Sequence, residues 1–416
     1  MTRSGIHRER PGAESIAPSS GGPAVDLGDG IWMSPGLSNS YMLGADDGRI
    51  VVNTGMGFEG PLHRRAYDAV RAAPTRAIIF TQGHYDHVGG AESLRDEGTE
   101  LIAQANFTSW RADNERLEAF RSRNAAFAWI RAILAAMEHA GSLGAGAIAQ
   151  ARPAPTTTFD DRLELSLGGR ELVLLSTPGG ETTDSLVIWL PETRTAFTGN
   201  LFGALFGHVP NLVTMRGDRY RDALTYIESL NLLLELAPAR LLTGHFDPVE
   251  GADRIAEETT AMRDAMQWVH DRTVEGMNSG VDVHTLMREI RLPEHFDVGE
   301  GYGKASWNVR AIWENYAGWF HHRSTTELYD LPPTAVAPDL VALAGADALV
   351  DAARVRLDAG EPVAALHLTD IILAADPGDL DARAVAANAS RSLLDASSNF
   401  WERAWLTRSI DLLEGK

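Results

Sequence analysis

Cysteine is absent from the chain. That excludes disulfides, thiolate nucleophiles and Cys-ligated zinc, so any bound metal must be held by imidazole and oxygen donors. Positive charge is also short: 37 Lys plus Arg face 57 Asp plus Glu, for a formal net charge of −20. Such a chain is ill-suited to grip duplex nucleic acid or an anionic membrane surface. It also repels anions at long range, so an anion site must rest on a local cation or metal. No apolar run approaches the length of a membrane span. Residues 1–24 are rich in Arg, Ser, Gly and Pro and lack the apolar segment of a secretory leader, so they read as a disordered tail. The cytoplasm is the default compartment. What remains is an ordinary globular balance, 44% hydrophobic and 23% charged over 416 residues, enough for two or three domains.

The densest chemistry lies in Thr81-Gln82-Gly83-His84-Tyr85-Asp86-His87-Val88-Gly89-Gly90. It follows the apolar, β-prone run 77–80, which reads as a buried strand opening into a loop. Ligands on such a loop converge on one point while the strand holds the backbone. Imidazole suits zinc and iron, and a carboxylate adds charge and hard oxygen. The glycine pair lets the chain turn sharply toward a helix near Ala91.

Around this loop the pattern is mixed. Residues 25–54 read as paired strands with a turn at Asp46-Asp47-Gly48, and residues 62–72 as a helix. Residues 107–140 carry helical periodicity, with Trp110, Leu117, Phe120, Phe127, Ile130, Ile133, Leu134 and Met137 available for a buried face. That face would serve as core packing or as the lining of an apolar channel. The stretch 141–158 is a loop, strands resume at residues 163–165, 171–175, 185–190 and 195–197, and helices dominate from about Tyr220. The last 80 or so residues are Ala-, Leu- and Asp-rich, with breaks at Gly360-Glu361-Pro362 and Asp376-Pro377-Gly378-Asp379. They resemble the turns of tetratricopeptide arrays.

The metal loop resembles the His-x-His-x-Asp-His signature of the metallo-β-lactamase superfamily, with Gln82 at its first position and Asn53-Thr54-Gly55 where an Asp-x-Gly is usual. Further segments resemble the linear alkylsulfatase branch, zinc hydrolases of sulfate esters. These are Pro178-Gly179-Gly180-Glu181, Asn200 after a strand, Asn211-Leu212-Val213-Thr214-Met215-Arg216-Gly217, and Thr243-Gly244-His245. The stretch from Gly301 to Phe320 resembles the approach to that branch's dimerisation region. The branch's sterol-carrier-like domain is expected to be missing, since the sequence ends at Lys416.

The resemblance implies an α/β fold, a metallo-β-lactamase αββα sandwich over residues 25–270, followed by an all-α, tetratricopeptide-like dimerisation region over 271–416. It implies two metal positions: Gln82, His84 and Glu181 at the first, and Asp86, His87 and His245 at the second, with Asn200 in the bridging place. The metal would be one or two Zn2+, with Mn or Fe as alternatives. Gln and Asn are weaker zinc ligands, so the first position is expected to be the weaker. His208 is a candidate replacement ligand or a pocket His without metal. Asp86, Arg216 and Asn211 would act on the substrate, Arg216 forking onto sulfate oxygens and Asn211 donating to another. The implied substrate has an apolar tail and an anionic head, and the implied assembly is a homodimer. Three rivals stand beside this reading: hydrolysis of another ester, lactone or thioester, iron-dependent oxygenation on the same fold, and a non-catalytic dimeric binding protein.

Overall fold

The computed structural model describes residues 5–146 and 149–416. Residues 1–4 of the expected tail and 147–148 of the expected loop lie outside the described residues. Strands β1 (Val25–Asp26), β2 (Ile31–Ser34), β3 (Ser40–Ala45), β4 (Gly48–Val52), β5 (Thr75–Ile79), β6 (Glu100–Gln104) and β7 (Thr157–Phe159) form one sheet in that order. It is antiparallel up to β4 and parallel beyond. Strands β8 (Arg162–Leu167), β9 (Arg170–Ser176), β10 (Leu186–Leu190), β11 (Thr195–Gly199), β12 (Arg240–Thr243) and β13 (Val249–Glu250) form the second, also in chain order. Only its β11–β12 pairing is parallel.

The alternation of side chains along each strand builds the layers. Ile50 and Val52 meet Leu174, Ile188 and Phe197 of the second sheet in the central core. Val51, Met42 and Ile78 point the other way, onto Tyr67 and Leu94 of the helices Gly60–Arg71 and Ala91–Leu94. Each such side chain removed from water contributes about 1.5–3 kcal/mol. Beyond the second sheet, the helices Ala223–Leu236 and Ala252–Asn278 pack on one another, and the latter on β12 and β13. The order helix, sheet, sheet, helix is the expected αββα sandwich.

The expected disordered tail is corrected. Residues 5–24 are not a disordered tail: Ile6 is 4% exposed, its N–H donates to Glu258 at 2.8 Å, and Arg10 donates to the Asp247 carbonyl at 3.0 Å. A composition poor in apolar residues is ordered here by hydrogen bonds to the body of the protein. By packing, residues up to Asn315 form one compact unit and Tyr316–Lys416 another, with helix Ala252–Asn278 unbroken inside the first. The second unit contains the helices Ala346–Asp358, Pro362–Ala375, Leu380–Ala396 and Phe400–Leu413, broken where the Gly-Glu-Pro and Asp-Pro-Gly-Asp signals stand. Val350, Ala365, Ile372 and Val385 form its core, and the Asp379 side chain caps a helix by accepting from Ala382 N–H.

The 107–140 pattern gives two helices, Phe107–Arg116 and Glu118–Ser142. The apolar stripe is not a core face. Trp110 is buried, but Leu117, Phe120, Ile130, Leu134 and Met137 are exposed. No helix among the described residues is long and apolar enough to cross a membrane.

One buried acid ties several loops together. Glu59 accepts backbone N–H groups from Ser19 (3.0 Å), Leu37 (2.9 Å) and Met56 (3.2 Å). Burial pushes its carboxyl up to about 7, against the pull of those donors. The folded state therefore holds this proton more tightly than the unfolded chain does. The resulting stability is present below about 4.5 and is lost as pH rises through about 7. The unfolding free energy, followed by denaturant titration across that window, is expected to fall with pH, and Glu59→Gln is expected to flatten that component. An unchanged slope in the variant would contradict this role.

Candidate metal centre

Strand β5 delivers the loop and Asn53 sets its course. Asn53 sits in left-handed backbone (φ 57°), a conformation Asn tolerates. Its Oδ1 accepts from the Thr81 N–H (2.9 Å) and hydroxyl (3.1 Å). The residue in the usual Asp position thus acts on backbone. On the facing side, β12 delivers His245. Gly244 passes so close to Asn200 that a Cβ there would stand 2.2 Å from Asn200 Oδ1 and 3.0 Å from the His87 ring, so only glycine fits.

The structure brings Asp86, His87 and His245 together, with their ligand atoms all within 4.8 Å of one another. Asp86 Oδ2 lies 3.5 Å from His87 Nε2 and 3.8 Å from His245 Nε2. Two donors on one tetrahedral zinc sit about 3.4 Å apart, so these separations fit a single ion. Both rings are braced from behind. His245 Nδ1–H donates to the Leu37 carbonyl at 2.8 Å, and His87 Nδ1 meets the Ser38 hydroxyl at 3.2 Å. Such outer bonds fix the tautomer and leave the Nε2 lone pairs facing forward. Burial, ahead of the opposing charge of Asp86, depresses both imidazoles, His87 to about 4, so they are neutral donors near pH 7. His87 Nε2 is buried and unpartnered, as is the Asn200 Oδ1 beside it. Orphaned buried acceptors are costly, and a cation would satisfy them. The residues present fit a metal here.

The other expected position is arranged differently. Arg216 Nη2 lies 3.0 Å from His84 Nε2 and 3.6 Å from Glu181 Oε2. Arg221 pairs with the same Glu181 oxygen at 2.7 Å and also donates to the carbonyls of Gly180 and Asn211. A guanidinium only donates, so His84 Nε2 accepts and its Nδ1 carries the ring proton. The Gln82 amide, 2.7 Å from Nδ1, must then turn its oxygen toward that proton. Burial first, and the Arg216 charge second, hold His84 far below its ordinary value. Gln82, His84 and Glu181 do converge as expected, but on guanidinium groups.

Asn211 is buried beside Arg221, whose guanidinium donates to its carbonyl, and its own Oδ1 is unpartnered. Of the two readings of His208, the structure fits a His without metal: its Nδ1 accepts from the Gly301 N–H at 2.8 Å and its ring packs edge-on against His7. Sequence reasoning missed Arg221, the ion pair of Arg121 with Asp218 (2.9 Å) that braces the Arg216 loop, and Tyr302 at the cavity wall. Asp218 and Arg221 cluster with Arg216 in the sequence and Tyr302 falls in the Gly301–Phe320 stretch, while no sequence signal marks Arg121.

These groups open onto a cavity of about 350 Å³. Its lining joins His84, Asp86, Glu181, Asn200, Arg216 and His245 to Ile16, Leu37, Met56, Trp129, Ile130 and Ile133, with Asn114, Glu118, Arg121 and Ser122 among the remainder. Part of the 118–142 stripe is therefore the wall of an apolar channel.

A model described as metallo-beta-lactamase superfamily matches residues 33–245, and one described as alkyl sulfatase dimerisation matches residues 283–415. The chain belongs to the metallo-beta-lactamase superfamily. The second match and several relatives carry alkylsulfatase names. A protein named linear primary-alkylsulfatase from Pseudomonas sp. is 28% identical over 393 residues, 90% of this chain and 74% of that one. An alkyl/aryl-sulfatase of Saccharomyces cerevisiae is 26% identical over 82% of this chain and 56% of its own length. The solved structure of the stereoselective inverting sec-alkylsulfatase Pisa1 from Pseudomonas sp. superposes with a TM-score of 0.81 at 24% identity, covering 95% of this chain and 66% of that one. The chain thus spans a little over half the length of several of these relatives. The superfamily implies a divalent metal, which the donor set described above fits.

Removing His87 leaves Asp86 and His245 as a two-donor site. His87→Ala is expected to weaken zinc binding by about 100-fold or more, read by calorimetry on metal-stripped protein. Unaltered affinity would break the ligand assignment.

Proposed function

We propose that the protein is a metal-dependent hydrolase of alkyl sulfate esters, or of a closely similar ester with an anionic head. The observation that carries this reading is the juxtaposition of a metal-fit cluster, a half-buried guanidinium and a largely apolar wall in one cavity. In a chain of net charge −20 an anionic head needs local cations, and Arg216 is one at the cavity wall. The names of the relatives point to the same substrate class.

Asp86, His87 and His245 would hold the ion, and two imidazoles with one carboxylate suit zinc. Bound there, a divalent ion supplies an electrophile that brings the acidity of water toward neutral pH. Arg216 forks onto oxygens of the head group and offsets its charge. Arg221, held by the Gly180 and Asn211 carbonyls, fixes Glu181, which in turn orients Arg216. Ile16, Met56, Trp129 and Ile133 take the alkyl tail and exclude water from the reacting end. The alkyl sulfatase dimerisation match supports a homodimer formed through the C-terminal region.

Sulfate release from a medium-chain alkyl sulfate by zinc-loaded protein tests the reading. Arg216→Ala is expected to lower kcat/KM by roughly 100-fold while zinc stays bound. Absence of sulfate release by the loaded wild-type protein would turn the search toward other esters, and undiminished turnover in the variant would remove Arg216 from the head-group site. The channel makes a second test. Ile133→Trp is expected to raise KM for long-chain substrates more than for short ones, and equal effects across chain lengths would place the tail elsewhere.

A further inference from the structure

Resting on the metal-hydrolase reading above, we infer that the chain carries a single divalent ion, at Asp86, His87 and His245, and that guanidinium groups occupy the place of a second. Three observations carry this inference. Both ring nitrogens of His84 are committed, Nε2 to Arg216 at 3.0 Å and Nδ1 to the Gln82 amide at 2.7 Å, so the imidazole has no lone pair left for a metal. One carboxylate, Glu181, faces two guanidiniums, Arg221 at 2.7 Å and Arg216 at 3.6 Å, so the position already carries net positive charge. Neither guanidinium can shed its charge by deprotonation near neutral pH, and a dication added there would meet repulsion where dielectric screening is weak. The cluster of Asp86 with two neutral imidazoles has the opposite sign; buried acceptors stand unpartnered at both corners, His87 Nε2 here and Glu181 Oε1 at the other, so net charge and not free lone pairs separates the two.

The two cationic groups are also anchored. Arg221 is held by two backbone carbonyls and by Glu181, and the Arg216 loop is braced by the Arg121–Asp218 pair. A fixed guanidinium beside one metal gives the site two cations of different character. One is an exchangeable Lewis acid, while the other is a permanent, directional donor that chelators cannot remove. The departure at Gln82 fits this arrangement, because a neutral amide supplies the acceptor that the protonated Nδ1 of His84 requires.

Metal-stripped full-length protein, titrated with zinc by calorimetry and then analysed for metal after desalting, tests the inference without reference to turnover. The wild type is expected to take up one ion per chain. The double variant Gln82→His/Arg216→Ala restores an imidazole and frees His84 Nε2, and it is expected to take up a second. Two ions in the wild type would overturn the inference. One ion in both proteins would also overturn it, since something other than the guanidinium would then close the position. No ion in either protein would overturn the metal-hydrolase reading itself, and this inference with it. Thermal melts of both proteins establish that the variant is folded, and the wild-type stoichiometry decides the matter if it is not.

Discussion

A carboxylate as buried as that of Glu181 has to be met by positive charge, and this requirement organises the site. In the αββα sandwich the turn after β9 drops Glu181 beside the loop that follows β5. The partner could be a metal or a guanidinium, and this chain supplies Arg221 and Arg216. Once they are in place, His84 turns acceptor toward Arg216, Gln82 answers its other nitrogen, and two guanidiniums face the single carboxylate at that corner. What remains for a metal is the neighbouring corner, where Asp86 stands between two imidazoles with their lone pairs forward. The division of labour follows from electrostatics, because buried charges of one sign cannot be crowded and those of opposite sign cannot be left alone.

The second corner depends on a layer that never touches substrate. The Leu37 carbonyl and the Ser38 hydroxyl hold the rear nitrogens of His245 and His87, and Glu59 holds the Leu37 N–H together with the segments at Ser19 and Met56. The N-terminal stretch joins through this acid and through Arg10, which grips the carbonyl of Asp247 just past His245. It also sends Ile16 into the channel wall. Thus the segment that composition marks as a tail takes part in both the ligand frame and the apolar cavity.

Much of the fold was legible because period-2 apolar runs and turn residues report local geometry directly. The strands around Ile31, Leu43, Val51, Leu174 and Ile188 fall where their alternation puts them, and the breaks near Gly360 and Asp376 separate helices as expected. Asp86, His87 and His245 were legible because loops after strands are where this architecture collects ligands. The failures share a physical reason: sequence records what a residue offers but not what meets it. Periodicity over 107–140 revealed an apolar stripe but could not say that a cavity and solvent, not a core, would face it. Gln82 and His84 read as ligands from their spacing, and the Arg216 that the structure sets against His84 arrives from more than a hundred positions away. Arg221 clusters with Arg216 in the sequence, but its role appears only when Glu181, forty residues earlier, is brought against it.

The central claim is that one metal and a fixed guanidinium share this cavity. Anomalous diffraction at the zinc edge from crystals grown with excess zinc tests it most directly. The account expects one strong peak between Asp86, His87 and His245, with the Arg216 guanidinium still against His84 and Glu181. A second peak of comparable height among Gln82, His84 and Glu181, with Arg216 displaced, would contradict it.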